Sequence, residues 1–98
     1  MPIDRVIRAQ NVVVDQAIRP ATIHLSGGRI AALGGIDDVP PGVFVLDVGD
    51  AVVMPGVVDA HVHINEPGRT EWEGFVTATR AAARGGITTV VDMPLNCI

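Results

Sequence analysis

The chain has 98 residues, 48% of them hydrophobic, with a formal net charge of −4. That is one small domain or a piece of a larger one, with enough Val, Ile, Ala and Leu for a core but only Phe44, Trp72 and Phe75 as aromatics. The acidic balance and the lack of a basic stripe exclude nucleic acid as an expected partner, and the longest apolar stretch, "AVVMPGVV", is far too short to span a membrane.

The start, "MPIDRVIRAQ", carries Asp4 and no apolar h-region, so it is not a secretory signal and a cytoplasmic protein is expected. "RVIRAQNVVVD" (Arg5 to Asp15) follows as a first candidate strand of imperfect alternation. "ATIHLSGGRIAAL" is a clearer hairpin: Ile23 and Leu25 share a face, Gly27-Gly28 supplies the positive φ angles of a tight turn, and Arg29 to Leu33 returns. His24 alternates with Ile23 and Leu25, which predicts an exposed strand position. "GGIDDVPPG" is a loop by composition, and "VFVLDVGDAVVMPG" gives two short strands about Gly49-Asp50.

The texture changes after Pro55-Gly56. "VVDAHVHI" (Val57 to Ile64) is a nearly continuous apolar run, the mark of a strand buried on both faces of a parallel sheet. "RTEWEGFVTATRAAARGG" reads as a helix, with Thr70 and Glu73 as a capping box and Gly85-Gly86 as its stop. Its expected core face is Trp72, Phe75, Val76, Thr79 and Ala82 or Ala83. "ITTVVDMPLN" is a second buried strand, so Val57 to Asp92 is one βαβ unit. The fold class is therefore α/β with a β-rich N-terminal part. A βαβ unit needs neighbours on both edges, which points to the front of a larger α/β protein.

Residues i and i+2 of a strand point the same way, so Asp59, His61 and His63 are expected on one face and Val58, Ala60 and Val62 on the other. A bare H-x-H has two readings. The imidazoles cap a strand end and touch solvent, or they take adjacent positions on one divalent ion. The buried run before them, the D-x-H-x-H frame and the polar loop after them favour the metal. A catalytic metal site needs more ligands than these two and an open position for water.

"VMPGVVDAHVHINEPGRTEWEGF" followed by "AAARGGITTVVDMPLN" resembles the start of a cyclic amidohydrolase, the group that holds allantoinases, dihydroorotases and hydantoinases, with the allantoinase branch nearest. The resemblance covers essentially the whole chain. It implies the start of a metal-dependent-hydrolase (β/α)8 barrel over residues 55–98, preceded over residues 1–54 by strands of a small β-sandwich domain. The barrel is incomplete in this chain.

The resemblance makes His61 and His63 ligands of the more buried of two divalent ions, with zinc the expected metal. In that family a carbamylated lysine bridges the metals, two more histidines hold the second ion, and an aspartate on the last strand handles the proton. The chain has seven basic residues, all arginine, so the bridging lysine does not come from it. No catalytic group is assigned within it, and the 98 residues alone are expected to be inactive. Asp59 is read as a structural hydrogen-bond partner near the strand end. Dihydroorotases carry, two residues past the second histidine, an arginine that grips a carboxylate; Asn65 stands there instead, and an amide suits a neutral ureide ring. Asn96 falls where the family places a substrate-facing residue, with ordinary turn chemistry as its other reading.

The implied reaction is hydrolysis of a cyclic amide C–N bond, most closely allantoin to allantoate, by a protein expected to be a homotetramer. Hydantoinase, dihydropyrimidinase or dihydroorotase chemistry and a non-catalytic fragment are the alternatives. Glu66, Arg69, Glu71 and Glu73 are read as loop and cap residues. Cys97 is the only cysteine, so no disulfide forms within the chain; it stands where the family usually has a small hydroxyl residue and is not read as a nucleophile.

Overall fold

The computed structural model describes residues 2–68, 70–71 and 73–93. Two units emerge, Met1–Pro55 and Gly56–Ile98. The first holds strands β1 (Arg5–Val14), β2 (Ala17–Ser26), β3 (Arg29–Gly34), β4 (Phe44–Asp47) and β5 (Val52–Val53). The second holds β6 (Val57–Val62), helix α1 (Phe75–Arg84) and β7 (Ile87–Asp92).

In the first unit the sheet runs β3-β2-β1-β4, with β5 also paired to β1. β1 and β2 are antiparallel, joined by a turn in which Asp15 and Gln16 both adopt left-handed backbone angles, φ 50° and 66°. Gly27 and Gly28, at φ 58° and 77°, turn β2 into β3 as the sequence predicts. β4 and β5 both run parallel to β1, either side of the turn at Gly49 and Asp50.

The imperfect alternation of β1 has a cause. Its register with β2 slips between Ala9 and Val12, so β1 gains one residue there. The slip returns Val12 and Val14 to the face of Ile7 and Ala9, and that face builds the core with Ala21, Ile23, Leu25, Val48 and Val53. The opposite face of β2 is also closed. Thr22 and Ser26 are buried there, and the expectation that His24 is exposed is wrong: it is only 6% exposed. The 35–38 loop folds over it, and His24 Nε2 meets the Asp38 carbonyl oxygen at 2.8 Å. Thr22 Oγ1 lies 3.0 Å from the Gly35 carbonyl oxygen and 3.2 Å from that of Asp38, close enough to donate to either. Ser26 Oγ donates to the Pro2 carbonyl at 2.8 Å.

In the second unit β6 and β7 pair in parallel across α1, the strand–helix–strand order the sequence predicts. Burial on both faces of β6 does not follow. Each of its residues is half-buried or exposed, because among the described residues it has one strand partner, β7. The helix begins at Phe75, later than predicted, with Gly74 as its N-cap and no side-chain cap from Thr70. Its half-buried positions are Ala78 and Ala82, one turn apart, whereas Phe75 and Val76 are exposed. Gly85 closes the helix, and Gly86 (φ 82°) accepts from the Val57 N–H at 3.0 Å, which ties the exit of α1 to the start of β6.

Candidate metal and substrate site

β6 delivers the two histidines to its C-terminal end. His61 lies in the strand and His63 just beyond it, both exposed. Their rings meet edge to face, with centroids 4.9 Å apart and Nε2 atoms 3.2 Å apart. Two nitrogens on one tetrahedral ion with bonds of about 2.05 Å stand about 3.3 Å apart, so the separation of the pair matches that of two ligands on one cation.

The other edge of His63 decides which nitrogen is free for that role. Its Nδ1 lies 2.8 Å from the Met93 carbonyl oxygen, an atom that only accepts, so Nδ1 carries the proton, and in the neutral tautomer this selects, Nε2 presents its lone pair. The same two strand ends are linked twice more. Met93 N–H donates to the Val62 carbonyl at 2.8 Å, and Ile64 N–H donates to Asp92 Oδ1 at 3.0 Å.

The β6–β7 register shifts between Asp59 and Val62. Within that irregularity Asp59 Oδ1 accepts the His61 N–H at 3.2 Å. Asp59 and His63 line a groove of about 280 Å³ with Ile64, Glu73, Thr79 and Val90. Among the described residues no third His, Cys, Asp or Glu joins the histidine pair in a metal-binding cluster.

Asn65 is half-buried, and its N–H donates to the Glu73 carbonyl at 2.7 Å. Glu66 reaches across the same loop, and its Oε2 accepts the Phe75 N–H at 2.8 Å. Two bonds thus tie Asn65 and Glu66 back to Glu73 and Phe75, directly beyond the histidines. Glu73 accepts from Thr77 Oγ1, one turn into the helix, and is not half of a capping box with Thr70. Asn96, Arg69, Trp72 and Cys97 lie outside the described residues.

The sequence reading missed Asp92 and Met93. Asp92 closes the second strand, and the "DMP" that marks the strand's end was the signal available for it.

A family model described as "Amidohydrolase family" matches residues 52–98, the stretch that holds both histidines and the βαβ unit. Residues 52–98 belong to the amidohydrolase family. Over 97 residues the chain is 53% identical to an allantoinase of Streptomyces avermitilis, covering 98% of this chain and 22% of that protein. A mitochondrial allantoinase of Aquarana catesbeiana is 53% identical over 94 residues, 95% of this chain and 19% of that one. Among solved structures, an L-hydantoinase (dihydropyrimidinase) from Arthrobacter aurescens superposes with a TM-score of 0.79 at 32% identity, covering 96% of this chain and 21% of that one. The chain therefore spans about a fifth of the length of the relatives it matches. The similarity extends through the strands before residue 52. The β-rich part and the βαβ unit thus correspond to the start of an amidohydrolase, as the sequence predicts. Among the described residues no helix is long and apolar enough to cross a membrane.

Proposed function

We propose that the protein carrying this chain hydrolyses a cyclic amide, most closely allantoin to allantoate, with His61 and His63 as part of its metal anchor at the mouth of a (β/α)8 barrel. One observation carries the metal role: two Nε2 atoms 3.2 Å apart, one of them fixed as a lone-pair donor by the Met93 carbonyl. The substrate comes from the relatives, which bear the name allantoinase at about half identity.

The residues present fit a divalent ion such as zinc, because neutral imidazoles at a strand end suit it. When bound, such an ion lowers the pKa of water toward neutrality and polarises a carbonyl. The chain's own residues supply the rest. His63 is oriented by Met93, and His61 is placed beside it by the strand. Asn65, held by the Glu73 carbonyl, presents a neutral amide that matches an uncharged ureide ring in place of a carboxylate. Asn96 is assigned to the same substrate. Asp59 is structural, holding the His61 N–H.

A second reading has one observation in its favour, the superposition on a hydantoinase. It keeps the reaction and changes the ring. The test is hydrolysis by the full-length protein of allantoin, hydantoin, dihydrouracil and dihydroorotate, before and after chelation. Allantoin turnover that chelation abolishes and metal restores is the expected result. Faster turnover of hydantoin or dihydrouracil assigns the second reading, and turnover unaffected by chelation or by His61→Asn overturns both.

A further inference from the structure

We infer that Asp92 is a positioning residue for the metal site, acting through the Asp92–Ile64 bond to hold the His63 imidazole in its metal-ready orientation. This rests on the assignment of His63 as a metal ligand. Three hydrogen bonds stitch the end of β6 to the end of β7. The Met93 N–H donates to Val62 at 2.8 Å, the His63 ring donates to Met93 at 2.8 Å, and the Ile64 N–H donates to Asp92 Oδ1 at 3.0 Å. His63 sits in the middle of the stitch, with a main-chain anchor before it and a side-chain anchor after it.

The two anchors are not equivalent. The Met93–Val62 bond continues the parallel pairing, in which Val62 is already aligned with Asp92. Two residues later the ladder has run out, and Ile64 finds a carboxylate in place of a backbone acceptor. Ile64 is 4% exposed, so its N–H has little access to water if that carboxylate is removed. The Asp92 side-chain oxygen takes the N–H that the ladder no longer serves. Without it the chain at residues 63–64 is free to turn away, and the ring loses its reach to the Met93 carbonyl. The Nε2 lone pair is then no longer fixed beside His61. Partners that orient a ligating histidine are worth about 10–100-fold in metal affinity, and Asp92 exerts that effect through the backbone.

The test uses the full-length protein as wild type, Asp92→Ala, Asp92→Asn and His63→Asn. Zinc affinity is measured by competition with a chromogenic chelator, and the His63 tautomer is read from imidazole 15N shifts of the metal-free protein. Asp92→Ala is expected to weaken zinc binding about 10–100-fold and to lose the Nδ1-protonated signature of His63. Asp92→Asn keeps an acceptor oxygen and is expected to stay within about threefold of wild type, with the signature intact.

Unchanged affinity and tautomer in Asp92→Ala overturn the inference. So does an Asp92→Asn that behaves like Asp92→Ala, since charge and not the Ile64 bond would then be at work. If the wild type binds no zinc, the hydrolase reading fails, and the tautomer in Asp92→Ala still decides whether Asp92 positions His63.

Discussion

Glu66 satisfies the helix that begins nine residues after it: its Oε2 accepts the Phe75 N–H at 2.8 Å. The first N–H groups of a helix have no partner within it, and here a loop carboxylate takes the place of an N-cap side chain. Gly74 makes this possible. A Cβ at that position would stand 2.9 Å from Thr70 Cγ2 and 3.1 Å from Glu66 Oε2, so any side chain there crowds the carboxylate away. Glu66→Ala is expected to cost about 1 kcal/mol of stability, the usual worth of a helix cap. Glu66→Gln should recover most of it by keeping an oxygen in reach, and Gly74→Ala should cost at least as much as Glu66→Ala. Thermal unfolding of the three variants checks the order.

Gly56 opens the βαβ unit under a similar constraint. A Cβ at Gly56 would overlap the Thr88 side chain, with Thr88 Cβ itself only 2.7 Å away. Rotation of Thr88 moves its Oγ1 and Cγ2 but not its Cβ, so the backbone has to give. Gly56→Ala is expected to destabilise by about 1–3 kcal/mol, as overpacking does. Adding Thr88→Ala should restore part of the loss and Thr88→Gly more of the clash term, measured by denaturant midpoints against the matching single variants at Thr88.

Much of this architecture is legible in the residues. Gly27-Gly28 announces its hairpin, and the apolar run, helix and β-branched run announce the βαβ unit. The β1–β2 hairpin is hidden for two physical reasons. Its turn uses Asp15 and Gln16 in left-handed angles where glycine or asparagine is the usual signal. Pro20, which argues against a strand, sits between Ala21 and Arg19, at the register slip where a missing N–H is tolerated. His24 misleads because alternation reports which face a residue is on and not whether a later loop covers that face. The histidine pair is visible from its spacing, whereas Asp92 and Met93 act across the sheet, and pairing register is not written in either strand alone.

The buried polar cluster under the 35–38 loop gives a coupling prediction. Thr22 Oγ1 and His24 Nε2 both approach the Asp38 carbonyl, and they lie 3.1 Å from each other. Thr22→Val removes a hydroxyl that is fully buried and should cost about 1–3 kcal/mol for the acceptors left behind. His24→Ala should cost a similar amount plus a cavity. The double variant is expected to lose less than the sum, because the first change already unseats the carbonyl that both serve. Strict additivity in chemical denaturation would show that the two side chains act separately.

Asp47 gives the fold a pH dependence of known sign. The Gly49 N–H, which donates to Oδ1 at 2.9 Å, and then the Arg8 guanidinium, 3.0 Å from Oδ2, hold its carboxyl below the usual carboxylate range. A depressed folded-state pKa means that Asp47 contributes stability above the ordinary carboxylate value of about 3.9 and loses it as pH falls through the lower folded value. The group is exposed, so the effect is small and weakened by salt. The stability difference between wild type and Asp47→Asn should be flat near neutrality and shrink below about pH 4. An increase in that difference on acidification would contradict the assignment.

The two readings of the histidine pair differ in what added metal does to stability. If His61 and His63 only cap a strand end, their 3.2 Å contact is an imidazole–imidazole hydrogen bond, and zinc leaves unfolding unchanged. If they are ligands, zinc at 100 times its dissociation constant should stabilise the full-length protein by about 2.7 kcal/mol, through preferential binding to the folded state. His61→Asn and His63→Asn should each remove most of that gain. His63→Asn should also loosen the metal-free protein slightly, since it alone gives up a bond to the Met93 carbonyl. Unfolding midpoints with chelator and with a zinc series, recorded for all three proteins, separate the two cases. A zinc-induced rise that both substitutions leave undiminished would place the metal somewhere other than the end of β6.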